Sequence, residues 1–395
     1  AMIPKQEVVD GVVVILISEG KLDSKEPIRI NPTKLRLDPD RVTGYITQAL
    51  RGELHQGSLE RGLLNLNDNP GVTSSADLEP GSDPQSTRIV VDVTEGPLVD
   101  GSLTFDNYGS RYTGDTRFTG VANLNSPFGK GDQLSLTAIN ALEEVFQMQK
   151  MGYSFPIGMS GLRGTVSYTS LYFQLGKEMS TTPPSLGKAS IWSFALRYPV
   201  YRTATQAIYL SGGYDWKYSY NESAGTVSSE KVLETYNTSL TFENADQLLG
   251  GGFTQVQLGL VAGTVDLAAN ASALQADQGV GGPQTYGGYQ KYTAQFLRIQ
   301  RGTDRLSFQL LASGQLAQKN LDGSEKLILG GPTGVRAYPT GEASGDEGYK
   351  FSLDAKYVLA TGTPVGDIVA SIFYDHGQVW QYQNPSLMTL TTPNS

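Results

Sequence analysis

The spacing of apolar positions changes near residue 98, from a mixed strand-and-helix pattern to a period of two. Before that point, Asp10 to Ser18 is a β-branched run closed by Glu19-Gly20, which predicts a buried strand and a turn. A short strand is expected over Ile28 to Ile30. Asp38-Pro39-Asp40 then gives a helix start with acid in its first turn, and Val42, Tyr45, Ile46, Ala49 and Leu50 recur at helical spacing until Gly52. A second helix is expected from Ser58 as N-cap, with Leu59, Leu63, Leu64 and Leu66 on its apolar face and Asn69-Pro70-Gly71 ending it. Val72 to Leu78 and Thr87 to Val93 alternate as strands around the turn Pro80 to Pro84. Strand, helix, helix, strand, strand makes one α+β unit, with two helices on one face of a three-stranded sheet. Such a unit is either a plain structural domain or, through an open strand edge, a receptor for an extended peptide.

From Asp100 the helical spacing disappears, and thirteen strand-like segments follow: 100–108, 114–124, 131–141, 144–155, 161–171, 189–199, 205–219, 231–243, 253–264, 289–300, 304–317, 348–359 and 366–376. Most have about the ten residues an outer-membrane strand requires. Leu134, Leu136 and Ala138 oppose Gln133, Ser135 and Thr137; Phe351, Leu353, Ala355 and Tyr357 oppose Ser352, Asp354 and Lys356. A soluble sandwich alternates in the same way. The connections discriminate better, because every second one is brief: Asn125 to Lys130, Phe155 to Gly158, Pro199 to Thr203, Asn244 to Gly252, Arg301 to Asp304, Thr361 to Pro364. The intervening ones hold the long loops, Tyr172 to Lys188, Asn221 to Glu230, Ala269 to Gly288 and Asn320 to Glu347, although two early ones are short. A membrane barrel sorts its loops this way and a soluble sandwich does not. Aromatics near strand ends, among them Tyr153, Trp192, Phe194, Tyr214 and Trp216, fit interfacial girdles.

Composition narrows the classes further. The 395 residues carry 30 Lys and Arg against 39 Asp and Glu, a net charge of −9, which disfavours a nucleic-acid binder. Cysteine is absent, which excludes disulfides and thiolate metal sites. The longest apolar run is Val12 to Ile17, far short of the ~18 residues of a membrane helix, whereas alternating barrel strands average to ordinary hydropathy. The two histidines, His55 and His376, lie in unrelated contexts, and Glu143-Glu144 sits in an expected loop, so no catalytic constellation forms. No phosphate loop, metal set or cofactor motif is present, so no cofactor and no nucleotide is expected.

One stretch breaks the strand pattern. Residues 330–348 hold six glycines and two prolines in nineteen positions, so neither a regular helix nor a central strand fits. At its heart a single cation, Arg336, stands between Val335 and Ala337, followed by Tyr338 and Pro339. The segment is either a long exposed hairpin loop or one that inserts into an enclosed space.

With these residues in view, the chain resembles the transporter subunit of bacterial two-partner secretion systems. These belong to the superfamily of outer-membrane translocase barrels bearing periplasmic POTRA domains. Leu59 to Val72 (LERGLLNLNDNPGV) looks like the second helix of a POTRA domain and its exit. Asp106 to Gly114 (DNYGSRYTG) looks like the first barrel hairpin, and Leu329 to Pro339 (LGGPTGVRAYP) like the loop that folds into the barrel lumen. Phe373-Tyr-Asp-His-Gly377 looks like the inner-wall motif of a later strand. The resemblance implies that Arg336 pairs with Asp375, with Phe373, Asp375 and Gly377 on one lumen face and His376 turned away. It also implies that Leu59, Leu63, Val72 and Leu78 are candidates for contact with the cargo.

The chain departs from the family at Ala337, where glycine is usual, and in showing about thirteen strands where the family barrel has about sixteen. The expectation is a fragment truncated at both ends. Residues 1–25 would be the remnant of a first POTRA domain and 26–98 a POTRA domain. Residues 99–395 would form an incomplete transmembrane antiparallel β-barrel with a lumenal loop at 319–347. The implied function is export of a large secreted partner, unfolded in transit, across the outer membrane, without nucleic acid or nucleotide. The POTRA module would lie in the periplasm and the barrel in outer-membrane lipid. The alternatives are a barrel-assembly factor of the same superfamily and a passive porin-like channel; the expectation is that the chain is not an enzyme.

Overall fold

The computed structural model describes residues 21–32, 34–51, 54–84, 86–364 and 366–388, in two compact units. The strand expected at Asp10 to Ser18 and the stop at Gly52 lie outside the described residues. One unit comprises residues 1–98 with segments 125–133 and 155–162; the other comprises 99–124, 134–154 and 163–395.

In the first unit the strands are β1 (Lys21–Leu22), β2 (Ile28–Asn31), β3 (Val72–Pro80) and β4 (Ser86–Glu95), and the helices are α1 (Pro39–Leu50) and α2 (Gln56–Asn67). β4 is central, with β1 and β2 parallel along one side and β3 antiparallel along the other. α1 starts as expected, because Asp38 accepts from the Asp40 amide at 3.0 Å and so satisfies a free helix-end donor. α2 starts earlier than Ser58: His55 is its N-cap and makes no side-chain capping bond. His55, Gln56 and Gly57 are exposed, so this boundary is marked neither by burial nor by a side-chain cap. The core unites Val42, Tyr45, Ile46 and Leu66 of the helices with Ile89, Val91 and Val93 of β4. Gly62 is where the helices approach, since a Cβ there would lie 3.1 Å from the Ala49 Cβ.

The second unit is one antiparallel meander of thirteen strands, in the places the alternation predicts: β5 (Val99–Asp106), β6 (Arg117–Asn125), β7 (Gln133–Ala141), β8 (Phe146–Pro156), β9 (Arg163–Gln174), β10 (Leu186–Arg202), β11 (Gln206–Ser223), β12 (Thr226–Asp246), β13 (Gly252–Asp266), β14 (Gly287–Arg301), β15 (Leu306–Ala317), β18 (Glu347–Thr363) and β19 (Gly366–Trp380). Between β15 and β18 a loop carries its own two-stranded pair, β16 (Leu327–Ile328) and β17 (Ser344–Gly345). A helix, α3 (Ala271–Gln278), fills the connection from β13 to β14. No helix among the described residues is long and apolar enough to cross a membrane.

The long loop expected at Asn221 to Glu230 is instead a continuation of β11 and β12 to a two-residue turn. Ala224 (φ 48°) and Gly225 (φ 81°) are both left-handed there, the conformation that joins twisted antiparallel strands most tightly. The polar sequence hides this extension because no apolar face marks it.

The sheet is rolled. Arg336 touches β18 and β19, while Thr340, four residues on, donates to the Tyr108 carbonyl beyond β5 at 3.1 Å. A flat sheet would hold β18 and β5 roughly 50 Å apart at about 4.8 Å per strand, yet four residues span at most ~14 Å. The loop therefore occupies the inside of the curve, the lumen. Tyr168, Trp192, Phe194 and Leu353 lie on the opposite face, where Trp192 and Leu353 remain largely exposed.

Asp23, just after β1, is a test of the first unit. Its buried carboxylate accepts from the Ser82 hydroxyl at 2.7 Å and amide at 3.0 Å, from the Lys25 amide at 3.1 Å and from Arg88 at 2.7 Å. The Ser82 hydroxyl first, then the two amides, hold its pKa well below the usual carboxylate range. A carboxyl depressed in the folded state stabilises above its unfolded pKa of about 3.9, and that contribution fades as pH falls below it. Amide-exchange protection of residues 86–92 is expected to drop as the pH is lowered below about 4. Asp23→Asn should be less protected at pH 7 and lack that acid-dependent step.

Candidate functional site: the lumenal loop and its wall

The loop is compact although a quarter of its central stretch is glycine. The Leu329 amide donates to the Ala343 carbonyl at 2.9 Å, the Val335 amide to Leu329 at 2.8 Å, the Gly331 amide to Tyr338 at 3.0 Å, and the Gly334 amide to Gly331 at 2.9 Å. Gly331 is left-handed (φ 101°), and a Cβ at Gly334 would sit 1.9 Å from the Leu329 carbonyl oxygen, so this turn admits no side chain at either place. Val335 is buried, whereas Ala337, Tyr338 and Pro339 are exposed. Ala337 adopts no positive φ, so an alanine is unstrained there.

These turns aim Arg336 at the wall. Its Nε and Nη2 donate to Asp375 at 2.7 and 2.6 Å, and its own amide reaches Asp375 at 3.0 Å. Nη1 donates to Asp354 at 2.9 Å and Nη2 to the Ser352 hydroxyl at 2.7 Å. The guanidinium carbon lies 3.7 Å from the centre of the Phe373 ring, a cation–π contact on the face that the carboxylates leave free. The pairing of β18 with β19 sets Ser352 opposite Asp375 and Asp354 opposite Phe373, so these four side chains share one face. Asp375 keeps 4% of its side-chain exposure and Arg336 28%. Parallel bonds to a carboxylate fix the geometry as well as the charge. Stripping one partner from a buried pair costs about 3–5 kcal/mol, and less here because the guanidinium keeps some water.

Gly377 completes the wall motif by leaving space. A Cβ there would lie 2.4 Å from Leu329 Cδ1, so the side chain that starts the turn seats over this glycine. His376 is on the opposite face, 3.3 Å from the Tyr349 hydroxyl.

Sequence reasoning missed Asp354 as a second carboxylate on Arg336, and it missed a second cluster entirely. Glu325 pairs with Lys217 of β11 at 2.6 Å and Lys291 of β14 at 3.1 Å, and Asp322 pairs with Lys231 of β12 at 2.5 Å. The available signal was three lysines, Lys217, Lys231 and Lys291, at positions that the alternation turns inward on β11, β12 and β14. Of the suggested cargo contacts, Val72 is buried in the first unit's core and Leu59 and Leu63 pack against it, whereas Leu78 on β3 is exposed. Among the described residues no cluster of three His, Asp or Glu has metal-holding geometry.

A protein-family model described as haemolysin secretion/activation protein ShlB/FhaC/HecB matches residues 85–391. The chain belongs to this family. It is an outer-membrane transporter of two-partner secretion, built from a POTRA unit and a β-barrel wall. The transporter is 25% identical over 397 residues to the heme/hemopexin transporter protein HuxB of Haemophilus influenzae, covering 100% of this chain and 68% of that one. It is 24% identical to the outer membrane transporter CdiB of Dickeya dadantii, covering 97% of this chain and 67% of the relative. In fold it is similar to CdiB from Escherichia coli (TM-score 0.77, 21% identity, 95% of this chain and 69% of that one). It is less similar to BamA from Haemophilus ducreyi lacking POTRA domains 1–3 (TM-score 0.55, 10% identity, 93% and 73%).

The seat for Leu329 gives a direct test. Gly377→Val should expel Leu329 while keeping the strand, because valine favours β structure. Hydrogen exchange at residues 329–343 is expected to speed up by about tenfold or more, with exchange in β18 and β19 little changed.

Proposed function

We propose that the transporter exports a large secreted partner protein of the haemolysin or adhesin kind, passed unfolded through the barrel, and that the contact of Arg336 with Asp375 and Asp354 sets the loop's position in the pore. The observation that carries this is the placement of the loop's Arg336 charge cluster against the inner wall, where a polypeptide would have to pass. The names of the relatives point to the same class of work: HuxB is a heme/hemopexin transporter, and ShlB of Serratia marcescens, 28% identical over 253 residues, is a hemolysin transporter. The partner meets the first unit as an extended strand, since β2 and β3 each have one neighbour, β4, among the described residues. Leu78, exposed on the β3 edge, is the apolar contact that remains available from sequence-stretch Val72 to Leu78. Outer-membrane lipid covers the wall's outer face; nucleic acid, nucleotide, cofactor and catalysis have no part.

A second reading, insertion of other barrels into the membrane, is disfavoured by the higher similarity of the fold to CdiB than to BamA.

Arg336→Ala is expected to lower secretion of the partner by about tenfold or more, with heat-modifiable migration showing that the barrel is still inserted. Arg336→Lys should not rescue, because an ammonium offers three donors on one nitrogen, whereas the guanidinium makes five side-chain bonds from three nitrogens to Asp375, Asp354 and Ser352. Secretion at the unmodified level by Arg336→Ala would refute the assignment. The segment 27–97 should retain the partner's N-terminal region in a pull-down at micromolar concentration, and Leu78→Asp should weaken that retention.

A further inference from the structure

The loop is held at two places by different physics. Its first part, residues 318–326, lies against the outer ends of the strands. Leu321 is buried with Leu233, Val265 and Tyr289, and Asn320 donates to the Pro283 carbonyl at 2.9 Å. Glu325 and Asp322 take the three lysines of β11, β12 and β14, and Lys291 and Gln315 also donate to the Glu325 carbonyl at 2.7 and 3.0 Å. Glu325 and Asp322 keep only 4% and 8% of their side-chain exposure. Lifting this stem would strip both carboxylates from Lys217 and Lys231, on the neighbouring strands β11 and β12, and from Lys291 on β14, one strand beyond β13.

The remainder, residues 327–345, is a closed arm. β16 pairs with β17, and the turn bonds from Leu329 to Ala343 tie the tip together without the wall. Ile328 and Tyr338 are 49% and 58% exposed. Against the wall the arm has the Arg336 cluster, the Leu329 seat over Gly377, the Lys350 ammonium on the Ile328 carbonyl at 3.2 Å, Gly345 close to Trp380, and the Thr340 bond to Tyr108. Buried apolar packing with buried charge resists opening, whereas exposed segments with few wall contacts open first.

We propose that the loop works as a fixed stem and a displaceable arm: Lys217, Lys231 and Lys291 position the stem through Asp322 and Glu325, and the arm moves as one body during transport while the stem stays in place. This rests on the reading of Arg336 given above. If Arg336→Ala exports normally, that reading fails; if only the cross-linking arms below go the wrong way, the division of the loop fails.

The chain has no cysteine, so introduced pairs are its only thiols. In the inserted transporter, Lys231→Cys with Asp322→Cys should reduce export about fivefold or more by removing the pair. Bridging the two thiols with a short bismaleimide should restore most of it, because a covalent tie replaces the ionic one. Tyr108→Cys with Thr340→Cys, bridged in the same way, should cut export about tenfold relative to the same variant unbridged, because the arm can no longer leave the wall. Each comparison is made before and after bridging within one inserted population, which removes folding from the readout. Should the first variant fail to insert, Lys217→Cys with Glu325→Cys tests the same clamp. A stem bridge that leaves export down, or an arm bridge without effect, overturns the proposal.

Discussion

Hydrocarbon offers no partner to a peptide N–H or C=O, so a chain crossing the outer membrane by strands must bond each strand to its neighbours. Every other feature of the second unit follows from that. Thirteen strands in simple sequential order bond to their neighbours, with β19 and β5 at the two ends of the sheet, and the period of two then puts apolar side chains on one face and polar ones on the other. Rolling the sheet gathers the polar face inward, where Asp354, Asp375, Lys217, Lys231 and Lys291 all reside. A surface so lined cannot be filled with an ordinary apolar core. What enters it has to bring charge of the opposite sign, and the loop does so with Arg336 at its tip and with Asp322 and Glu325 in its stem.

The two clusters use different chemistry. Arg336 is planar and forked, and its nitrogens are divided among two carboxylates, a hydroxyl and an aromatic face. An ammonium could not satisfy that constellation. The stem shows the reverse arrangement, with point charges on long stems reaching from three strands to two buried carboxylates. Lysine suits this because its reach adapts to strands set at different heights. Gly377 shows the same economy of space: the wall motif supplies a carboxylate at one inward position and nothing at the next, and the absence seats Leu329.

Much of this was legible in the chain. Strand positions followed from alternation, and the lone cation at 336 announced a partner inside. The extension of β11 and β12 was not legible, because residues 221–230 are polar on both faces and carry no amphipathic mark; pairing to the Ala224-Gly225 turn decides it. Ser58 looked like a helix cap, but α2 begins two residues earlier, at Gln56, with the exposed His55 as its N-cap. Asp354 was seen only as a polar position in an alternating strand. Its role appears once β18 is set in register with β19, which no one-dimensional pattern gives. The three lysines were invisible for the same reason, being 14 and 60 residues apart in sequence (217 to 231, 231 to 291) and united only by a loop that arrives from β15.

A segment that lies in a transport path has to be well placed and yet removable. Broad apolar packing would place it at the cost of a slow release, since the exposed surface gains nothing from water. Charge-assisted hydrogen bonds behave differently. They are strong at 2.6–2.9 Å, they weaken steeply with displacement, and both partners are rehydrated in a water-filled lumen once they part. Arg336 keeps 28% of its side-chain exposure against 21%, 15% and 12% for Lys217, Lys231 and Lys291, so water reaches the tip cation more readily, which puts the switchable bond at the tip and the durable one at the root. A loop arranged the other way round, with packing at the tip and exposed charge at the root, would let the root fray while the tip still blocked the path.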